Sequence, residues 1–204
     1  MQRTHVLRSA AAAVAAAALL AGCGGTGENT NPAPATPPNT EQSQNPEAEQ
    51  GGHNQADVAF LQGMIPHHEQ AIEMSRPAPE RAQSDQVKDL ARQIEAAQGP
   101  EIQAMSGMLR DWGVPESPSD MHGMDHGDMG MMSPDQMQRF GQAEGAQFDR
   151  MFLTMMIEHH EGAVTMARTE LDDGQNPEAK QLAQQIIDSQ RAEIDTMNNL
   201  LEQN

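Results

Sequence analysis

Adjacent histidines occur twice in this chain, each time in the same company of sulfur and acid. The first set is Met64, His67, His68, Glu69 and Met74; the second is Met156, His159, His160, Glu161 and Met166. A third cluster, Met121, His122, Met124, His126, Met129, Met131 and Met132, lies in a Gly-rich stretch between them. Imidazole binds copper in both oxidation states and also zinc, thioether is soft and prefers Cu(I) or Ag(I), and carboxylate suits harder ions. Thioethers also escape the disulfide chemistry that disables thiols outside the cell, although oxidation to sulfoxide weakens them. Capture of a thiophilic cation is the chemistry these residues share. Copper is the first choice, with Cu(I) favoured and Cu(II) admitted.

Helical spacing limits which of them can meet one ion. Neighbours on a helix point about 100° apart, so His67 and His68 do not easily chelate together. Met64 reaches the azimuth of His68 at four residues and of His67 at three. Met74 lies about two turns further along, near the azimuth of His67. A helical wheel turns His68 and His160 to the interior, and His67 and His159 to a groove between helices. Glu69 and Glu161 fall on the polar side, suited to solvent or to an orienting hydrogen bond to a His of a neighbouring helix. Blander readings stay open. The His pairs also fit polar contacts between packed helices, and Met74 and Met166 above all fit ordinary core filling. The Met-rich stretch also fits low-complexity composition.

The elements that position these residues are duplicated. Residues 57–110 and 149–202 align without a gap at an offset of 92, with 22 identities in 54 positions. Chance does not give that many, so each copy should fold alike. Around Met64, the residues Phe60, Leu61, Ile65, His67, His68, Ala71, Ile72 and Met74 fall on one half of a helical wheel. Val87, Leu90, Ala91, Ile94, Ile102, Met105 and Leu109 mark one face of a second helix. Leu182, Ile186, Ile194, Met197 and Leu201 repeat it. Pro77 and Pro79 punctuate one connection, and Gly174 and Pro177 the other. Each copy reads as a helical hairpin. A hairpin alone leaves apolar faces open, so the pair should close into an all-α four-helix bundle. Pro66 should kink the first helix just before its His pair; Glu158 takes its place in the second copy. Residues 113–134 have no period and read as an exposed loop, the plainest break between the copies.

The ends add a location. Arg3 and Arg8 precede an apolar run at 10–20 and then Leu20-Ala21-Gly22-Cys23, the pattern of a secretory signal (1–22) with a lipidation site at Cys23. That run is shorter than the roughly 20 residues a membrane span needs, and Cys23 is the chain's single cysteine. Residues 23–54 are poor in apolar side chains and read as a lipidated tether, with a reach on the order of 30 Å. Residues 55–204 are then the folded domain. The net charge is −18, and loss of Arg3 and Arg8 makes it two units more negative. Such a surface repels nucleic acid and anionic lipid and attracts cations. Membrane association is therefore expected only through the anchor, on the outer side of the cytoplasmic membrane.

No catalytic residues and no organic cofactor site are legible. Three residues after Glu69 and Glu161 stand Ile72 and Val164, not the His of a di-iron Glu-x-x-His motif. A zinc-protease His-Glu-x-x-His is missing for the same reason of spacing.

The segments Phe60-Leu61-Gln62-Gly63-Met64-Ile65-Pro66-His67-His68-Glu69-Gln70-Ala71-Ile72-Glu73-Met74 and Met155-Met156-Ile157-Glu158-His159-His160-Glu161-Gly162-Ala163-Val164 resemble the signature of domain-of-unknown-function family 305, over about residues 55–203. The resemblance implies a ferritin-like four-helix bundle in secreted or lipid-anchored bacterial proteins. Some members, the CopM-type proteins, bind copper outside the cytoplasm. Carried over by position, it implies Met64, His67, His68, Met74, Met156, His159, His160 and Met166 as ligands.

Three functions fit these observations. The first is a non-enzymatic copper-binding lipoprotein that sequesters or delivers copper, with a copper donor or acceptor protein and a second copy of itself as conceivable partners. The second is a structural or adaptor bundle of the envelope. The third is a metal-dependent oxidase.

Overall fold

The computed structural model describes residues 52–117 and 130–203. The signal segment, Cys23, nearly all of the tether, and Met121, His122, Met124, His126 and Met129 lie outside them.

Four long helices dominate: α1 (Gln55–Ser75), α3 (Asp85–Asp111), α5 (Gly145–Asp173) and α6 (Pro177–Gln203). Two short ones, α2 (Ala78–Arg81) and α4 (Pro134–Phe140), lie in the connections that the sequence leaves without helix. The single bridge pair Ala82–Gly145 is the only β pairing among the described residues. No described helix is long and apolar enough to cross a membrane. The all-α four-helix bundle of two duplicated hairpins is thus what the chain forms. The tether ends slightly earlier than the sequence suggests. Asn54 caps α1 through its side chain, which accepts from Ala56 N and Asp57 N, and His53 stacks on Trp112 at 4.3 Å between ring centroids. Despite Pro66, α1 continues without a break.

The helices close a ring. α1 packs on α3 and on α5, α5 packs on α6, and α3 touches α6. Two aspartates fix the direction of α1 against α5. Asp57, in the first turn of α1, accepts from the backbone N of Gln175 (3.0 Å) and Asn176 (2.8 Å), just beyond α5. Asp149, near the start of α5, accepts from Gln83 N (3.0 Å) and Ser84 N (2.9 Å), just before α3. These are the same contacts shifted by 92 residues, so the copies meet head to tail and α1 runs antiparallel to α5. Each aspartate satisfies backbone donors that a buried turn would otherwise leave unpaired.

The two ends are not identical. Glu170, buried, lies beside Asp57, while the corresponding position 78 is Ala. Burial, together with the hydrogen bond and charge of Asp57, pushes the Glu170 carboxyl up to about 8, with Lys180 pulling the other way. Burial opposes the charge on Asp57, but hydrogen bonds from the Asn54 and Asn176 backbone, Glu170 and the Gln175 backbone lower its pKa. Glu170 is therefore the protonated partner and Asp57 the carboxylate.

Since α3 and α5 run the same way, the connection from 112 to 144 must travel the length of the bundle. It climbs along α1. Gln62 Nε2 donates to the Pro115 carbonyl at 2.7 Å. Gln70 pairs with both backbone groups of Met132, at 2.6 and 2.9 Å. Arg81 donates to the Gly141 carbonyl. The anchors Gln62 and Gln70 stand eight residues apart on α1, about 12 Å, with His67 between them.

Candidate metal centre

The apolar core is in two parts. One cluster contains Ala71, Met74, Ile94, Phe148, Phe152, Met156 and Met197. The other contains Phe60, Leu61, Met64, Met105, Ala163, Leu182 and Ile186. Along each long helix the chain passes from one cluster to the other, and polar residues occupy the crossing. On α1 these are His67 and His68, on α5 His159 and His160, on α3 Gln98 and Glu101, and on α6 Gln190 and Glu193. The four imidazoles are 0% exposed and the two glutamines 2%. A polar layer therefore cuts the middle of the bundle, where burying unpaired polar groups is costly.

Within the layer each pair divides its tasks. His67 and His159 meet across the α1–α5 contact, with ring centroids 3.7 Å apart. His68 turns to α3, where its Nε2 lies 2.7 Å from Glu101 Oε2. His160 turns to α6, with Nε2 2.6 Å from Glu193 Oε2. A carboxylate accepts, so Nε2 donates in both. Neither Nδ1 has a hydrogen-bond partner, and neither ring nitrogen of His159 has one of normal geometry. Burial, then the neighbouring rings of His67, His160 and His68, hold the His159 imidazole well below its usual range. A neutral ring with an uncommitted lone pair is the form that ligates a metal. A carboxylate on the far nitrogen is the usual support for such a ligand. Glu101 and Glu193 keep about a fifth of their side-chain surface in solvent, so an acid rim joins the outside to the buried rings.

The sequence-predicted residues fall as follows. All four histidines come together. His67 and His159 are fully buried rather than at a groove edge, because a single-helix wheel does not show the partner helix that covers them. Met64 and Met156 are buried one turn from the rings, about 4.5 Å along the axis. Met74 and Met166 are about 10 Å along their own helices. Met74 is buried in the first cluster with Met155 and Met156. The sulfur of Met166 lies 3.6 Å from where a Cβ on Gly63 would sit, one turn before His67.

Glu69 and Glu161 are exposed, as their wheel position indicates. The carboxylates that hold the rings are Glu101 and Glu193 instead. Both stand at matched positions in the repeat, which was the available signal. Among the loop residues, Met131 is half-buried. Met132 is a core residue, packed with Phe140 and Phe152, because Gln70 pins its backbone. Those two belong to the described parts, 113–117 and 130–134, of what the sequence presents as an exposed loop. Among the described residues no three His, Cys, Asp or Glu side chains form a ready cage; the donors here are imidazole and thioether, the mixture that suits soft cations.

Known proteins share this fold. A fragment from Deinococcus radiodurans is 36% identical, covering 76% of this chain and all of that one, with a TM-score of 0.69. CopM in its Cu(I)-bound form is 33% identical over 72% of this chain and 96% of that one, with a TM-score of 0.59. Its Cu(II)-bound form gives 0.62 at the same identity and coverage, and an Ag-bound form 0.59 at 32% identity. Uncharacterized protein L153 of Acanthamoeba polyphaga mimivirus is 42% identical over 55 residues, 27% of this chain and about a third (36%) of that protein's length. The profile of the family described as Domain of unknown function (DUF305) matches residues 57–201. By that match, and by the solved relatives it covers almost end to end, this chain belongs to the DUF305 family.

Proposed function

We propose that this protein binds copper in the polar layer at the middle of its bundle, without catalytic turnover, and stores or hands on the ion outside the cytoplasmic membrane. The observation that carries the reading is the matched pair His68–Glu101 and His160–Glu193, each with a buried, unpartnered Nδ1. His67 and His159 stand beside them, and Met64 and Met156 offer sulfur from adjacent turns. Relatives solved with Cu(I), Cu(II) and Ag support the choice of metal. The signal and lipobox pattern supports lipid anchoring through Cys23. The proposed role of Met121, His122, Met124, His126, Met129 and Met131 is first capture, and the contacts of Pro115 with Gln62 and of Met132 with Gln70 stand on either side of His67 along α1.

Copper titration of the chain under reducing, anaerobic conditions, followed by thermal melting, tests this. Bound ion at 100 times Kd adds about 2.7 kcal/mol, or roughly 5–10 °C in Tm for a protein of this size. Replacing His67, His68, His159 and His160 together should abolish the shift. No shift in the native protein favours a structural bundle. Oxygen consumption beyond one equivalent of bound metal favours an oxidase.

A further inference from the structure

The glutamines of the polar layer have no role yet. Gln98 lies between Ile94 of one apolar cluster and Met105 of the other, on the α3 face that also carries Glu101. Gln190 repeats this on α6, between Ile186 and Met197. Positions 94, 98, 101 and 105 fall within about 60° on a helix of 3.6 residues per turn, so the amide and the carboxylate that holds His68 share one inward face. Neither the nitrogen nor the oxygen of either amide has a hydrogen-bond partner. An unpaired buried amide destabilises a fold by about 1–3 kcal/mol, and leucine would fit the flanking pattern. Two such amides, at matched positions and at the level of the four imidazoles, call for a ligand that uses them.

We propose that Gln98 and Gln190 determine specificity, by turning their carbonyl oxygens to the copper ion and so letting a layer of imidazole and thioether hold Cu(II) as well as Cu(I). This rests on the function proposed above. Thioether alone favours the cuprous state, whereas an amide oxygen is a harder donor that serves the cupric state better.

The test is chelator competition on the whole chain, native and Gln98→Leu/Gln190→Leu, once with Cu(II) and once with Cu(I) under reductant. The expected result is Cu(II) affinity at least tenfold weaker, Cu(I) affinity within about threefold, and an apo Tm equal to or above the native one. The cupric EPR parameters should also move. If the leucine variant does not fold, Gln98→Met/Gln190→Met, close in shape, carries the same comparison and should move preference further towards Cu(I). Unchanged Cu(II) affinity and EPR, or equal losses for both oxidation states, overturns the inference while leaving copper binding standing. A native chain that binds neither ion overturns the proposed function and this inference with it.

Discussion

Glu170→Gln should remove most of the alkaline sensitivity of this fold. In the native chain Glu170 keeps its proton up to about pH 8, against an ordinary value of 4.5. Between those values the folded state binds one proton more than the unfolded state, so stability must fall as pH rises. The slope is at most about 1.4 kcal/mol per pH unit. From pH 5 to 8 the loss is about 3–4 kcal/mol, or roughly 6–16 °C in Tm. Asp57 acts elsewhere: its pKa is lowered, so its contribution is present above 3.8 and is lost only in acid. His159, held neutral, lowers stability below its ordinary 6.5 in native and variant alike, and cancels in their difference. A glutamine amide can donate to Asp57 as the protonated carboxyl does, without titrating. Melting both proteins by circular dichroism from pH 5 to 9 gives the answer. The native Tm should fall relative to the variant as pH rises, and level off above about 8. Parallel curves across the range refute a shared proton between these two carboxyls.

Other perturbations follow from the same geometry. Glu101→Ala or Glu193→Ala removes the acceptor that orients a proposed ligand ring, and should weaken copper binding about 10- to 100-fold by chelator competition; equal affinity removes these carboxylates from the site. Gly130 has φ +76°, and a Cβ there would lie 2.6 Å from the Glu158 carbonyl and 3.1 Å from Gly162 Cα. Gly130→Ala should therefore destabilise by about 1–3 kcal/mol in urea titration. Gly107→Ala, in open space on α3, should stabilise by a few tenths to 1 kcal/mol. Asp149→Ala strands the Gln83 and Ser84 amides and should cost about 3 kcal/mol; amide exchange at those two positions should rise, and unchanged protection there contradicts the latch.

The repeat was the most legible feature. Because residues 60–74 and 152–166 share one apolar pattern, the helices, their pairing into hairpins and the need for two hairpins to cover each other are all legible in the sequence. Gathering of His67, His68, His159 and His160 followed from the same pattern. Glu101 and Glu193 were missed as partners of the rings. They sit 33 residues from His68 and His160, and no local spacing links positions on different helices. Glu69 and Glu161, which the helical wheel turns to the polar side, are exposed, so of the two roles that position allows they keep solvent contact. Met132 reads as a loop residue, since its burial depends on Gln70, 62 residues earlier.

Composition and period alone settled that this chain makes paired helices carrying soft and imidazole donors on inward faces. They act through neighbours three or four residues away, which a linear text displays. Tertiary structure decided the rest. Antiparallel docking of α1 on α5, fixed by two aspartates that each bind backbone from the other copy, put all eight polar side chains at one height. It also decided which nitrogen of each outer ring faces an acid and which faces inward. That choice depends on rotation of helices about one another, which the burial of two separate apolar clusters determines and no single segment encodes.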